Sequence, residues 1–205
     1  MQLVKPSIEF MSITENPLQA IELAGRTCYK SEDKITPDSA QQFVRKLLTR
    51  GHLAMIEHAS ASNRVICDRG VTHEVVRHRL FSYAQESTRY CNYSGGVTYI
   101  QPPWVSEKAV SDTDVIWHHC MFECESAYKK LLTRGWTPQM ARGVLPNALK
   151  TEIVITGNLR EWLHFFTLRC AKTAHPQMRE VADMLLTDIQ GKVPIIFDRI
   201  KLEGA

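Results

Sequence analysis

The stretch from Ser111 to Arg134 constrains the fold most. Val115, Ile116, Cys120, Met121, Ala127, Leu131 and Leu132 recur there at helical spacing, and Gly135 stops the run. A helix of this length is then the longest in the chain. Asn16-Pro17 opens another with Pro in its first turn and carries Ile21, Leu23 and Ala24 to about Tyr29. A third starts near Pro37 and runs through Phe43, Val44, Leu47 and Leu48 to Gly51. Strand-like runs lie between such helices: Val4 to Ser12, Ala59 to Asp68, Val97 to Ile100 and the β-branched Thr151 to Thr156. Asp68-Arg69-Gly70 reads as a turn, followed by a helix from Val71 to about Arg79. Ser82 to Tyr90 favours extended chain. Thr137-Pro138 opens a short helix to Val144, Asn158 caps one through Leu168, and Pro176 begins the last long one, to about Gln190. Helices outnumber the interspersed strands. The expected class is a mixed α+β (α/β) single domain, residues 1–205, with one small central sheet flanked by helices.

Composition matters chiefly for what it excludes. No apolar run approaches the roughly 18 residues of a membrane span. The opening Met1-Gln2-Leu3-Val4-Lys5-Pro6 lacks the pattern of a secretion signal, and six scattered cysteines read as reduced thiols. A cytoplasmic protein without a membrane partner is expected. Lys and Arg number 25 against 22 acids, for a net charge of +3. If Arg77, Arg79, Arg89, Arg142, Arg160 and Arg169 belong to a ligand site, the remainder is net negative. A broad nucleic-acid-binding face is therefore not expected.

Arg77-His78-Arg79, followed by Ser82, Gln85, Glu86, Ser87, Arg89 and Tyr90, is the densest run of chemistry in the chain. Guanidinium forks match phosphate oxygens, and the hydroxyls, imidazole and amide suit a hydrogen-bonding ring. The bland reading of the three basic residues is a solvated helix end. No Gly-rich phosphate loop is present, so a bound nucleotide would be held by side chains and helix ends. His118-His119-Cys120 with Cys124 has a possible metal spacing, but no matching pair stands at a structural-zinc interval. No metal site is expected. A serine nucleophile at Ser87 would need a base, and none is placed by the sequence.

Arg77-His78-Arg79, seven residues, then Ser87, resembles the signature of the flavin-dependent thymidylate synthases. His52 with Glu57-His58, Ala141-Arg142-Gly143-Val144-Leu145-Pro146, Asn158-Leu159-Arg160 and Leu168-Arg169 resemble further elements of that family, over about residues 50 to 190. The resemblance implies reductive methylation of dUMP to dTMP. Methylenetetrahydrofolate gives the carbon, FAD carries the hydride and NADPH is the reductant. It also implies a homotetramer with shared active sites. FAD would meet Arg77, His78, Arg79, Gln85, Asn158, Leu159, Arg160 and His164. The nucleotide would meet Glu74, Arg77, Gln85, Glu86, Ser87, Arg89, Arg142 and Arg169. Arg169 is the catalytic candidate, because a guanidinium beside the pyrimidine imide stabilises its anion and makes C5 nucleophilic. Gln85 and His164 stand where the family often has Glu and Asn. Plainer roles compete: a salt bridge for Arg142, an N-cap for Asn158, packing for His164. Two other functions stay open: a single-strand nucleic-acid module built on Tyr83, Tyr90, Tyr93 and the arginines, and an inactive nucleotide-binding homologue.

Overall fold

The computed structural model describes residues Met1–Ile200. The strands are β1 (Gln2–Val4), β2 (Ser7–Ile13), β3 (Ser60–Asp68), β4 (Ser82–Gln85), β5 (Thr98–Ile100) and β6 (Lys150–Asn158). The helices are α1 (Pro17–Tyr29), α2 (Ser39–Thr49), α3 (Arg69–Val75), α4 (Asp112–Thr133), α5 (Pro138–Ala141), α6 (Leu159–Arg169), α7 (Pro176–Lys192) and α8 (Pro194–Phe197). The class is mixed α/β. The described residues form two sheets where one was expected: a four-stranded sheet in the order β2-β3-β6-β4, and a parallel pair of β1 with β5. The expected opening strand divides into β1 and β2 around Lys5-Pro6, where Pro6 has no N–H to offer a ladder.

The described residues group into two compact units. The first holds Met1–Ser7, Val65–Arg77 and Ala84–Ile153. Its core gathers Val97, Tyr99, Met121, Tyr128, Ala141 and Leu149. α4 begins in a full capping box: the Ser111 hydroxyl accepts from the Asp114 N–H, and the Asp114 carboxylate accepts from the Ser111 N–H. The buried residues of α4 are Asp114, Met121, Glu125 and Tyr128, and Leu131 and Leu132 pack on the same core, so the later part of the apolar stripe read from the sequence faces inward and its start does not. Val115 and Ile116 are 53% and 68% exposed. Two buried carboxylates fix that rotation. Asp114 also accepts from the N–H groups of Ser106 and Val110, and Glu125 is paired with Lys129 and the chain's N-terminus.

The second unit holds Ile8–Arg64, His78–Tyr83 and the chain from Val154 onward. Its core includes Ile21, Val44, Ile56, Leu185 and an aromatic group built around Trp162. Trp162 packs on Phe81 at 4.6 Å and on Phe166 at 5.5 Å, and its indole N–H donates to the Ala61 carbonyl. Gly157 is obligatory beside this group. A Cβ there would stand 2.0 Å from the Phe81 ring.

Candidate active site

Two strand-to-helix joints set the functional side chains. β3 ends at Asp68, whose carboxylate accepts from the Val71 N–H at 2.7 Å and starts α3. β6 ends at Asn158, whose amide oxygen accepts from the Glu161 N–H at 2.9 Å and starts α6. Each joint puts an arginine into the first turn, Arg69 and Arg160.

α3 stops at Val75 rather than near Arg79. Val71, Thr72 and Val75 within it, and Val76 at its C-cap, are β-branched and poor helix formers. The His78 carbonyl is then taken by the Tyr83 hydroxyl at 2.8 Å and the Phe81 N–H at 3.2 Å. Arg77, His78 and Arg79 therefore leave the helix and are not spread round a helical barrel. Arg77 and Arg79 are exposed, whereas His78 is buried.

In the second unit α6 presents Glu161, His164, Phe165 and Arg169. Arg169 Nε–H donates to His78 Nε2 at 3.0 Å. The other ring nitrogen of His78 lies 3.6 Å from Glu161 Oε1. Phe165 packs against the imidazole at 4.9 Å, with His164 at 5.7 Å. Burial, then the charges of Arg169 and His164, hold the His78 pKa down at about 4. Burial pushes the Glu161 carboxyl above its usual range, partly opposed by His164. His164 itself is exposed.

The same unit contains a cavity of about 390 Å³ lined by Gly25, Tyr29, His52, Leu53, Met55 and Arg160, among others. Arg160 is ion-paired with Glu57 at its edge. The Leu159 side chain is buried and its N–H donates to the Ala59 carbonyl at 2.8 Å.

In the first unit, Arg142 and Arg69 line a smaller cavity of about 230 Å³ with Thr88, Gly143 and Pro146. Arg142 Nη1 donates to the Thr88 hydroxyl at 3.4 Å. Arg69 Nη1 is buried with no partner among the described residues. Among the described residues, no carboxylate lines this cavity. Two guanidiniums and a hydroxyl without a counter-charge make a receptor for an anion.

The remaining sequence candidates of this unit are more inwardly engaged. Gln85 donates through Nε2 to the hydroxyls of Thr72 and Thr151, at 3.0 and 3.3 Å. The Glu86 carboxylate accepts from Tyr93 at 2.7 Å and pairs with Lys150. Burial and that bond push the Tyr93 phenol up. Glu74 is half-buried on α3. Ser87 Oγ accepts from the Arg89 N–H at 3.3 Å, and among the described residues no base is bonded to it. Arg89 lies over the Tyr90 ring and reaches Gln139. Arg69 and Thr88 escaped the sequence reading. The signal was present in an arginine placed directly after a strand-ending Asp.

The family model described as "Thymidylate synthase complementing protein" matches residues 9–195. The flavin-dependent thymidylate synthase of Geobacter sulfurreducens is 35% identical over 198 residues, 93% of this chain and 84% of the relative. The enzyme of that name from Corynebacterium glutamicum is 34% identical over 214 residues, covering 96% and 84%. Among solved structures, the UMP/dUMP methylase PolB from Streptomyces cacaoi, bound with 5-Br dUMP, superposes with a TM-score of 0.82 over 97% of this chain and 96% of its own, at 23% identity. That likeness establishes the shared fold.

Proposed function

The chain belongs to the thymidylate synthase complementing proteins, the family of its flavin-dependent thymidylate synthase relatives, and from that premise we propose that it converts dUMP to dTMP by reductive methylation. Methylenetetrahydrofolate is the carbon donor and NADPH the reductant in this reading.

The observation that carries it is the carboxylate-free cavity of Arg69, Thr88 and Arg142. It suits the 5′-phosphate of a mononucleotide, with Ser87 and Arg89 as further contacts in the same unit. Arg169 is assigned to the base. Its guanidinium stays charged throughout, so it stabilises the ionised imide electrostatically and takes no part in proton transfer. The phosphate group and the base group are assigned to their clusters separately. In a homotetramer with shared sites they need not serve the same copy's nucleotide.

The larger cavity fits part of a flavin nucleotide: Leu53, Met55 and Tyr29 offer apolar and aromatic wall for a planar ring, and His52 and Arg160 offer the few polar groups such pockets need. Flavin supplies hydride transfer when bound. Arg160, released from Glu57, would hold a phosphate. Asn158, His164 and Arg79, in the same unit, are assigned to the same cofactor, and Glu74, Arg77 and Gln85, in the other unit, to the nucleotide. The tetramer is supported by apolar surface on α4, where Val115, Ile116 and Phe122 are 53%, 68% and 58% exposed. No helix among the described residues is long and apolar enough to cross a membrane. With free cysteines throughout, we place the enzyme in the reducing cytoplasm.

The test is visible absorption of the FAD-reconstituted protein under anaerobic conditions, before and after NADPH. A bound-flavin spectrum that bleaches at a rate altered by dUMP, with dTMP formed once methylenetetrahydrofolate is added, is the expected result. Protein that retains no flavin overturns the proposal.

A further inference from the structure

We propose that His78 is a positioning residue for Arg169, holding that guanidinium in one orientation as a neutral imidazole whose single proton sits on Nδ1, toward Glu161. The assignment rests on the role given to Arg169 above.

The chemistry of the contact fixes the tautomer. An arginine Nε–H can only donate. His78 Nε2, 3.0 Å away, must therefore present its lone pair. The ring proton is then on Nδ1, which faces Glu161 Oε1 at 3.6 Å. A protonated ring would set an N–H against an N–H and lose the bond. The groups that face the ring all bear on this choice. Arg169 and His164 disfavour a second proton, Glu161 favours the Nδ1 position, and Tyr83 holds the backbone by donating to the His78 carbonyl.

The ring has no freedom to act elsewhere. His78 is 5% exposed, and one side of the imidazole is covered by Phe165. Nε2 is bonded to Arg169, and Nδ1 faces Glu161 Oε1 at 3.6 Å. The central histidine of the Arg-His-Arg run thus works through Arg169, while its two exposed neighbours remain for ligands. Arginine is rich in rotamers, and a long side chain left unguided would visit many of them. Anchoring Nε leaves the planar guanidinium with one heading before the nucleotide arrives. Misplacement of about 1 Å in such a group costs about 10²-fold in rate.

Two experiments test this. Long-range ¹⁵N–¹H spectra of the flavin-free protein at pH 7 should show His78 neutral with a protonated Nδ1; a protonated Nε2 would overturn the proposal without any variant. A mutant cycle then separates positioning from direct ligand contact. His78→Leu is expected to lower kcat/KM for dUMP about 10²-fold, and His78→Gln, whose carbonyl accepts the same N–H, to recover most of it. In an Arg169→Ala background, His78→Leu should change neither turnover nor dUMP affinity by calorimetry. An undiminished effect there would show that His78 touches ligand itself. Wild-type protein that binds dUMP but makes no dTMP would defeat the proposed reaction. The tautomer and the dUMP affinities would still decide the part played by His78.

Discussion

Arg69 has a buried guanidinium nitrogen with no hydrogen-bond partner among the described residues, on a wall shared with Arg142. A charged group left so is costly unless a ligand completes it. Arg69→Met should weaken dUMP binding about 10-fold or more, since a hydrogen bond to a charged group contributes about 1.5–3 kcal/mol. Calorimetry with dUMP, and with deoxyuridine as the phosphate-free control, checks this; equal losses for both would remove Arg69 from the phosphate. Arg169→Ala should lower kcat by about 10²–10³ while the flavin spectrum persists, by analogy with loss of one preorganised donor to a developing anion. His78 also leaves a pH signature. Its pKa is about 4 in the fold against an ordinary 6.5. Between those values the unfolded chain binds a proton that the native chain does not, so this contribution to stability is complete above 6.5 and is lost as pH falls toward 4. Glu161, with its pKa raised, acts in the opposite sense through the carboxylate range. Urea midpoints from pH 7 to 4 should fall less steeply in His78→Gln than in wild type. An unchanged slope would mean the imidazole is protonated in the native protein.

At the scale of elements, the ends of helices carry the most exact information. Ser111→Ala removes one half of the capping box of α4 and should cost about 1 kcal/mol, read as a drop in Tm. Gly157→Ala, with its Cβ driven into Phe81, should cost about 1–3 kcal/mol or more by overpacking. Much of this level could be read from the chain itself. Asn16-Pro17, Ser111, Gly135 and Asn158 each mark a boundary because their backbone or side-chain chemistry acts within one turn. The face of α4 was only partly legible in that way. Asp114 and Glu125 bond Ser106, Val110 and the chain's N-terminus as well as groups of the helix itself, and spacing of apolar residues placed Met121, Leu131 and Leu132 on the core but also Val115 and Ile116, which are exposed. The length of α3 was likewise overread. The Tyr83 hydroxyl, five residues on, claims the His78 carbonyl, and apolar spacing carries no sign of that.

For the molecule as a whole, the long Arg-His-Arg to Ser87 run pointed to the family, and the family model confirms that membership over residues 9–195. The contacts that give the run its meaning are remote in sequence. Arg169 meets His78 across 91 positions and Arg142 meets Thr88 across 54. Such pairings are set by the path of the sheet. Ligand linkage offers a global check. At dUMP concentrations about 100-fold above Kd, binding should add about 2.7 kcal/mol and raise Tm by about 5–10 °C. A phosphate-free nucleoside at the same concentration should raise it far less.

The two strand-to-helix joints bear on how such a protein changes over time. β3 into α3 and β6 into α6 are the same construction: nine residues of strand, an Asx side chain turned back on the third helical N–H, and an arginine in the first turn. Their sequences are unlike enough to pass unnoticed as a repeat. Each joint lines a different cavity, through Arg69 in one and Arg160 in the other. Drift at one arginine can therefore retune one ligand's grip without disturbing the architecture of the other joint, and selection can act on substrate and cofactor affinity as separable traits.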